Sequence, residues 1–186
     1  MSILPIRVLG DPILREETKP IEEITDEIRA LVDNMFETMY LAKGIGLAAP
    51  QVGRTERVAV IDVDGAKYAI INPEIVSSDA KTAKSEEGCL SIPDVYGDVE
   101  RPTRVRVRAL DVDGNEFEVE AGDLLGRCLQ HEIDHLHGKL FIDYMSVLKR
   151  RSALAKWSKE KDKYPGFIRR LENDPADDHE HPDEEL

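Results

Sequence analysis

Gln130-His131-Glu132-Ile133-Asp134-His135-Leu136-His137-Gly138 is the stretch on which the reading of this chain turns. His131 and His135 are four residues apart, so on a helix they share one face, about 5–6 Å apart at Cβ. That spacing lets two imidazoles converge on one metal ion. Glu132 projects about 100° further round the helix. It flanks such an ion without ligating it, where a carboxylate takes a proton from water that a metal has acidified. Leu124, Leu125, Cys128, Leu129 and Leu136 make the helix mostly apolar and buried in expectation. Histidines and a glutamate buried there without partners would be costly, which weighs against a chance HExxH on a polar helix. Gly122 or Asp123 is expected to open the helix and Gly138 to close it.

Working outward, Ile28, Leu31, Val32, Met35, Phe36, Met39 and Tyr40 follow the i, i+3, i+4 rule of a helix packed on a core. Thr25 is its expected N-cap, with Asp26 and Glu27 in the first turn. Residues 3–15 read as an extended arm with turns at Gly10-Asp11-Pro12. The run Gly44-Ile45-Gly46-Leu47-Ala48-Ala49-Pro50-Gln51-Val52-Gly53 brings backbone close to something. A phosphate cradle would need a third spaced glycine or a Lys-Ser/Thr pair. A loop offering amides to a peptide-like substrate, with Gln51 as a neutral donor, fits equally well. Asp62-Val63-Asp64-Gly65 predicts a hairpin between strands Arg57–Asp62 and Lys67–Asn72. Asn72-Pro73 is expected to break the second strand before Glu74–Ser77 resumes the sheet.

A second hairpin is expected from Arg104–Asp111 and Glu116–Ala121, with Val105, Val107 and Ala109 inward and Arg104, Arg106 and Arg108 solvated. Lys139–Tyr144 reads as a short strand or extended segment. A helix over about 146–164 carries Lys149, Arg150, Arg151, Lys156, Lys159, Lys161 and Lys163. Residues 1–172 are expected to form one catalytic domain, and residues 173–186 an acidic, proline-bearing disordered tail.

Composition limits the function classes. A formal net charge of −13 argues against nucleic-acid binding by the chain as a whole. No run approaches the roughly 20 apolar residues of a membrane span. The N-terminal residues show no basic start, apolar run or cleavage site, so a cytoplasmic location is expected. Cys89 and Cys128 allow one disulfide at most, and a ligand or reduced thiol suits a cytosolic chain better.

A catalytic metal site needs three protein ligands. With His131 and His135 in place, the candidates for the third are Cys89, Cys128, Asp143 and Glu160. Cys128 shares the helix but sits a turn away. Cys89, in a loop after a glycine, can be aimed freely and is favoured.

Three motifs, Gly44–Gln51, Glu87-Gly88-Cys89-Leu90-Ser91 and Gln130–His135, resemble in order and spacing the signature motifs of the peptide deformylases. The resemblance runs from Val8 to about Lys149. It implies an α+β fold, with antiparallel β-sheets around a central metal-binding helix and with an N-terminal and a C-terminal helix. It implies Cys89, His131 and His135 as metal ligands and Glu132 as acid and base. Gln51 and the Leu90 amide would steady the formyl oxygen, and Ile45, Gly46, Glu87, Leu124, Arg127 and Cys128 would contact substrate. The implied reaction removes the formyl group from the N-terminal formylmethionine of new polypeptides and releases formate. The implied cofactor is one divalent ion, with iron(II) favoured and zinc, nickel or cobalt accommodated in purified protein. Nascent formyl-Met termini are the implied partners. A weak ribosome contact through the basic helix is a further expectation, and a membrane is not.

Arg127 departs from the small or apolar residue that the resemblance implies. Its stem is expected to line the methionine pocket and its guanidinium to reach the rim, near solvent or a carboxylate. Two rival readings are an HExxH zinc protease, whose third ligand would come from downstream, and a degenerate ribosome-docking module. Glu160 lies in a solvated lysine-rich helix, and intact Cys89, Glu132 and Gln51 speak against degeneracy.

Overall fold

The computed structural model describes residues 1–172. The tail expected over residues 173–186 lies outside the described residues. In chain order the elements are β1 (Ile6–Arg7), α1 (Asp26–Leu41), β2 (Gly46–Ala48), β3 (Val58–Val63), β4 (Ala66–Ser78), β5 (Thr82–Cys89), β6 (Ile92–Pro102), β7 (Arg104–Leu110), β8 (Glu116–Gly122), α2 (Asp123–Leu136), α3 (Val147–Glu160) and β9 (Ile168–Arg169). The fold is α+β, and its strand pairs are antiparallel: a five-stranded sheet β2-β3-β4-β7-β8, the hairpin β5-β6, and the pair β1-β9.

β3 reads Val-Ala-Val-Ile-Asp-Val and is covered on both faces. Ala59, Ile61 and Val63 pack with Cys128, Leu129, Ile133 and Leu136 of α2. Val58 and Val60 pack with Ile28, Leu31, Met35 and Met39 of α1. The sheet therefore lies between α2 and α1. Thr25 caps α1, its hydroxyl accepting from the Ile28 amide at 3.3 Å; a cap of this kind contributes about 1 kcal/mol. On the outer strands, Arg106 pairs with Glu120 and Arg108 with Glu118, so the arginine row forms a cross-strand ladder facing solvent.

The structure corrects the sequence reading of the fold at several places, beginning with the arm over residues 3–15, where Pro12–Arg15 forms a 3-10 turn capped by Asp11. β4 does not break at Asn72-Pro73; Asn72 takes a left-handed conformation (φ 50°) and a bulge carries the strand on to Ser78. Cys89 does not stand in a loop: it ends β5 and pairs with Ile92 across a Leu90-Ser91 turn. Phe141–Tyr144 is a 3-10 turn rather than a strand, because the Asp143 carboxylate accepts from the Leu140 amide at 3.0 Å. The basic helix ends at Glu160 and continues as a 3-10 turn to Lys163.

α3 closes over the β5-β6 hairpin. Ala153 and Trp157 pack with Val95, Val99, Phe141 and Cys89, and the Trp157 indole N–H donates to the Leu9 carbonyl at 3.2 Å. Gly138 ends α2 with φ 70°, and a Cβ there would meet the Arg15 carbonyl at 2.5 Å. Only glycine fits that close approach.

Candidate metal centre

α2 carries His131 and His135 on one face, and their Nε2 atoms are 3.2 Å apart. The β5-β6 hairpin brings Cys89 against them, its Sγ 3.4 Å from His135 Nε2. All three side chains are buried, and their donor atoms lie within 4.8 Å of one another. A tetrahedral ion with ligand distances of about 2.0–2.1 Å to nitrogen and 2.3 Å to sulfur places its donors roughly 3.3 Å (N to N) and 3.6 Å (N to S) apart. The donors therefore fit a single ion. Of the candidates for a third ligand, the structure brings in Cys89. Cys128 is turned the other way, its thiol 3.7 Å from the Ile45 carbonyl, and Asp143 pairs with Arg15 at 2.7 Å. Glu160 pairs with Lys163.

The tautomer of His131 follows from its neighbour. Its Nδ1 is 2.9 Å from Glu87 Oε1, and an ionised carboxylate only accepts, so Nδ1 carries the proton and Nε2 presents its lone pair. Phe141 stacks on the ring at 6.3 Å between centroids. Burial holds His135 well below the usual imidazole range, so it stays neutral and ready to ligate.

Glu132 is fully buried, and among the described residues no donor reaches either of its carboxylate oxygens. Burial pushes its carboxyl well above the usual range, Arg101 opposing and Glu87 and Asp134 adding. A carboxyl in that state suits proton transfer. Gly46 explains how it fits: a Cβ there would meet Glu132 Oε1 at 2.5 Å and Cys128 Sγ at 2.9 Å. The glycine-rich run is thus the edge strand β2 pressed against α2. Gln51 follows in a buried 3-10 turn. Its Oε1 accepts from the Ala48 amide at 2.9 Å, and its Nε2 donates to Ser91 Oγ at 3.1 Å, beside Cys89 Sγ at 3.6 Å. The Leu90 carbonyl accepts from Arg169 of β9 at 3.0 Å, and the Ser91 carbonyl from the Leu9 amide at 2.8 Å. The turn after Cys89 is held from three sides.

Glu87, expected among the substrate contacts, stands behind His131 instead. Its carboxylate is buried and accepts from Arg101 Nε at 2.7 Å, Arg101 Nη2 at 2.9 Å and Arg127 Nη1 at 2.7 Å as well as from His131. Burial alone would raise its pKa, but the hydrogen bonds from Arg101 and His131 and the charge of Arg101 hold it well below the usual carboxylate range. The Arg127 guanidinium, expected at the pocket rim, turns to the buried Glu87 carboxylate. Leu124 is less buried than the helix pattern suggests; with Arg127, Ala83, Ser85 and Pro102 it lines a groove of about 290 Å³.

The sequence reading missed Arg101 and Asp134. Arg101 Nη1 donates to Asp134 at 2.8 Å, and its guanidinium stacks over the Tyr144 ring at 4.8 Å. Asp134, lying between the two histidines on a buried helix, was the available signal. Arg101 had none, because its partners are 14 and 33 residues away.

An HExxH helix at the centre of an α+β fold, with a cysteine delivered from a hairpin, is the arrangement of a metallohydrolase. The polypeptide deformylase family model matches residues 3–151. Peptide deformylases of Mesorhizobium japonicum and Acinetobacter baumannii are 52% and 50% identical, over 90% and 86% of this chain and 99% and 92% of theirs. The crystal structure of a peptide deformylase from Legionella pneumophila is 47% identical with a TM-score of 0.83, covering 87% of this chain and 97% of that one. The Ehrlichia chaffeensis peptide deformylase in complex with actinonin is 43% identical with a TM-score of 0.84, covering 87% and 99%. The chain belongs to the polypeptide deformylase family.

Proposed function

We propose that this protein removes the N-formyl group from the N-terminal formylmethionine of newly synthesised polypeptides and releases formate. The observation that carries the reading is the convergence of Cys89, His131 and His135 beside a buried Glu132 carboxylate that has no hydrogen-bond partner among the described residues. Cys89, His131 and His135 would hold one divalent ion, which supplies a Lewis acid that acidifies water and polarises a carbonyl. Iron(II) is our choice of ion, and the Cys-His-His donor set also suits zinc, nickel and cobalt.

The remaining chemistry belongs to the chain's own groups. Glu132 takes the proton of the attacking water as its oxygen adds to the formyl carbon. The Gln51 amide, held by Ala48 and Ser91, and the Leu90 N–H donate to the formyl oxygen as its carbon becomes tetrahedral. Glu132 then delivers its proton to the departing amine, and the C–N bond breaks. Glu87 keeps His131 in the ligating tautomer. Ile45, Gly46, Leu124, the Arg127 stem and Cys128 would border the methionine side chain.

Formate release from a formyl-Met peptide tests the reading. Wild-type protein should release one formate per peptide and be inhibited by actinonin, the ligand of the Ehrlichia relative. A Cys89→Ser variant should lose metal and activity together; a zinc protease drawing its third ligand from downstream would survive that change.

Action on newly synthesised polypeptides favours a cytoplasmic location. Among the described residues no helix is long and apolar enough to cross a membrane. On α3 only Ala153 and Trp157 are buried, which leaves its lysines and arginines available for a weak, salt-dependent ribosome contact. Charge reversals there should weaken ribosome binding at low salt and spare activity on short peptides.

A further inference from the structure

Arg127 lies one helical turn before His131 on α2, and its guanidinium is directed across to the β5-β6 hairpin. Nη1 donates to Glu87 Oε2 at 2.7 Å and to the Val99 carbonyl at 2.9 Å, and Nη2 donates to the Ala83 carbonyl at 2.9 Å. These acceptors belong to both strands of the hairpin whose turn presents Cys89. The second oxygen of Glu87 returns to α2 by accepting from His131 Nδ1. A ring of contacts thus runs from Arg127 to Glu87 to His131 and back along one turn of helix. It joins the element that delivers the thiolate to the element that delivers both imidazoles. The Arg127 side chain is largely buried, so these bonds work at low dielectric, where charge-assisted contacts are strong.

We propose that Arg127 is a positioning residue for the metal site, holding Glu87 and the hairpin so that Cys89 and His131 keep their mutual geometry. The inference rests on the reading of Cys89, His131 and His135 as ligands, and it goes beyond a role for Arg127 as a pocket wall. Arg101 makes the two-point grip on Glu87 from within the hairpin itself and continues to Asp134. With Arg101 in place, removing the Arg127 head leaves Glu87 paired, and the protein should fold. What is lost is the fixed register between hairpin and helix. Outer-shell partners of metal ligands typically change metal affinity or activity 10–100-fold when removed.

The test loads full-length wild type, Arg127→Met and Arg127→Lys with cobalt(II). Methionine keeps an apolar stem and removes the fork; lysine keeps the charge without the fork. The thiolate-to-cobalt absorption band and the rate of cobalt loss to a chelator are then read. Arg127→Met should lose cobalt about tenfold faster, with a shifted band, and Arg127→Lys should fall between. At saturating cobalt, its KM for a formyl-Met peptide should change less than its cobalt release does. An unchanged release rate and band in Arg127→Met would overturn the proposal; with a raised KM, that result would make Arg127 a pocket wall. A wild type without any thiolate-to-cobalt band would instead overturn the ligand assignment itself, and this inference with it.

Discussion

Glu87 Oε1 accepts from His131 Nδ1 at 2.9 Å, and this bond from a hairpin carboxylate to a helix imidazole fixes which nitrogen of His131 faces Cys89 and His135. The carboxylate is held in turn by Arg101 and Arg127, so two guanidiniums that do not touch the three candidate ligands stand behind His131.

Glu87→Gln should therefore cost stability and metal retention together. It leaves the buried Arg101 guanidinium without its main counter-charge, a defect typically worth about 3–5 kcal/mol. The midpoint of urea unfolding should drop, and metal should pass to a chelator at least about tenfold faster. An unshifted midpoint would show that Asp134 alone suffices for Arg101.

Gly46→Ala tests the packing of β2 against α2. The new methyl would sit 2.5 Å from Glu132 Oε1, so the carboxylate must move. A displacement of about 1 Å at a reacting group can cost roughly 10²-fold in rate. Metal content near one per chain with a collapsed kcat is the expected outcome. Full activity would mean that Glu132 stands elsewhere during turnover.

Two truncations should part company. Ending the chain before Asn173 should leave activity on a short formyl-peptide unchanged. Ending it before Ile168 also removes β9 and the Arg169 guanidinium that holds the Leu90 carbonyl at 3.0 Å. Because Leu90 follows Cys89, that shorter form should lose rate by about tenfold or more. Equal rates for the two truncations would remove Arg169 from the account of the turn.

Iron(II) held by a thiolate makes a site open to oxidation. The iron-loaded enzyme should lose activity in air faster than the cobalt- or nickel-loaded forms. Equal air stability and equal rates for iron and zinc forms would contradict iron as the working ion.

What the sequence made legible was local. His131 and His135 lie one turn apart, Thr25 sits three residues before the amide it caps, and Asp64-Gly65 closes its own hairpin, so each pattern carries its own geometry. β5 was illegible because Thr-Ala-Lys-Ser-Glu-Glu is polar and exposed along most of its length and shows no alternation. Without β5 as a strand, Cys89 read as a loop residue, and the pairing that sets Arg101 beside Glu87 had no trace in the sequence. Arg127 stands out in the sequence, but its partner Glu87 lies on the hairpin whose polar first strand leaves no pattern.

The central claim is that Cys89, His131 and His135 hold the ion while Glu132 moves the proton, and Glu132→Gln tests it most directly. The amide keeps the size of the carboxyl and makes no ligand bond. Metal content and formate release should be measured on the same sample. The account predicts metal near one per chain with nearly all activity lost. Loss of the metal along with the activity, or retention of both, would contradict it.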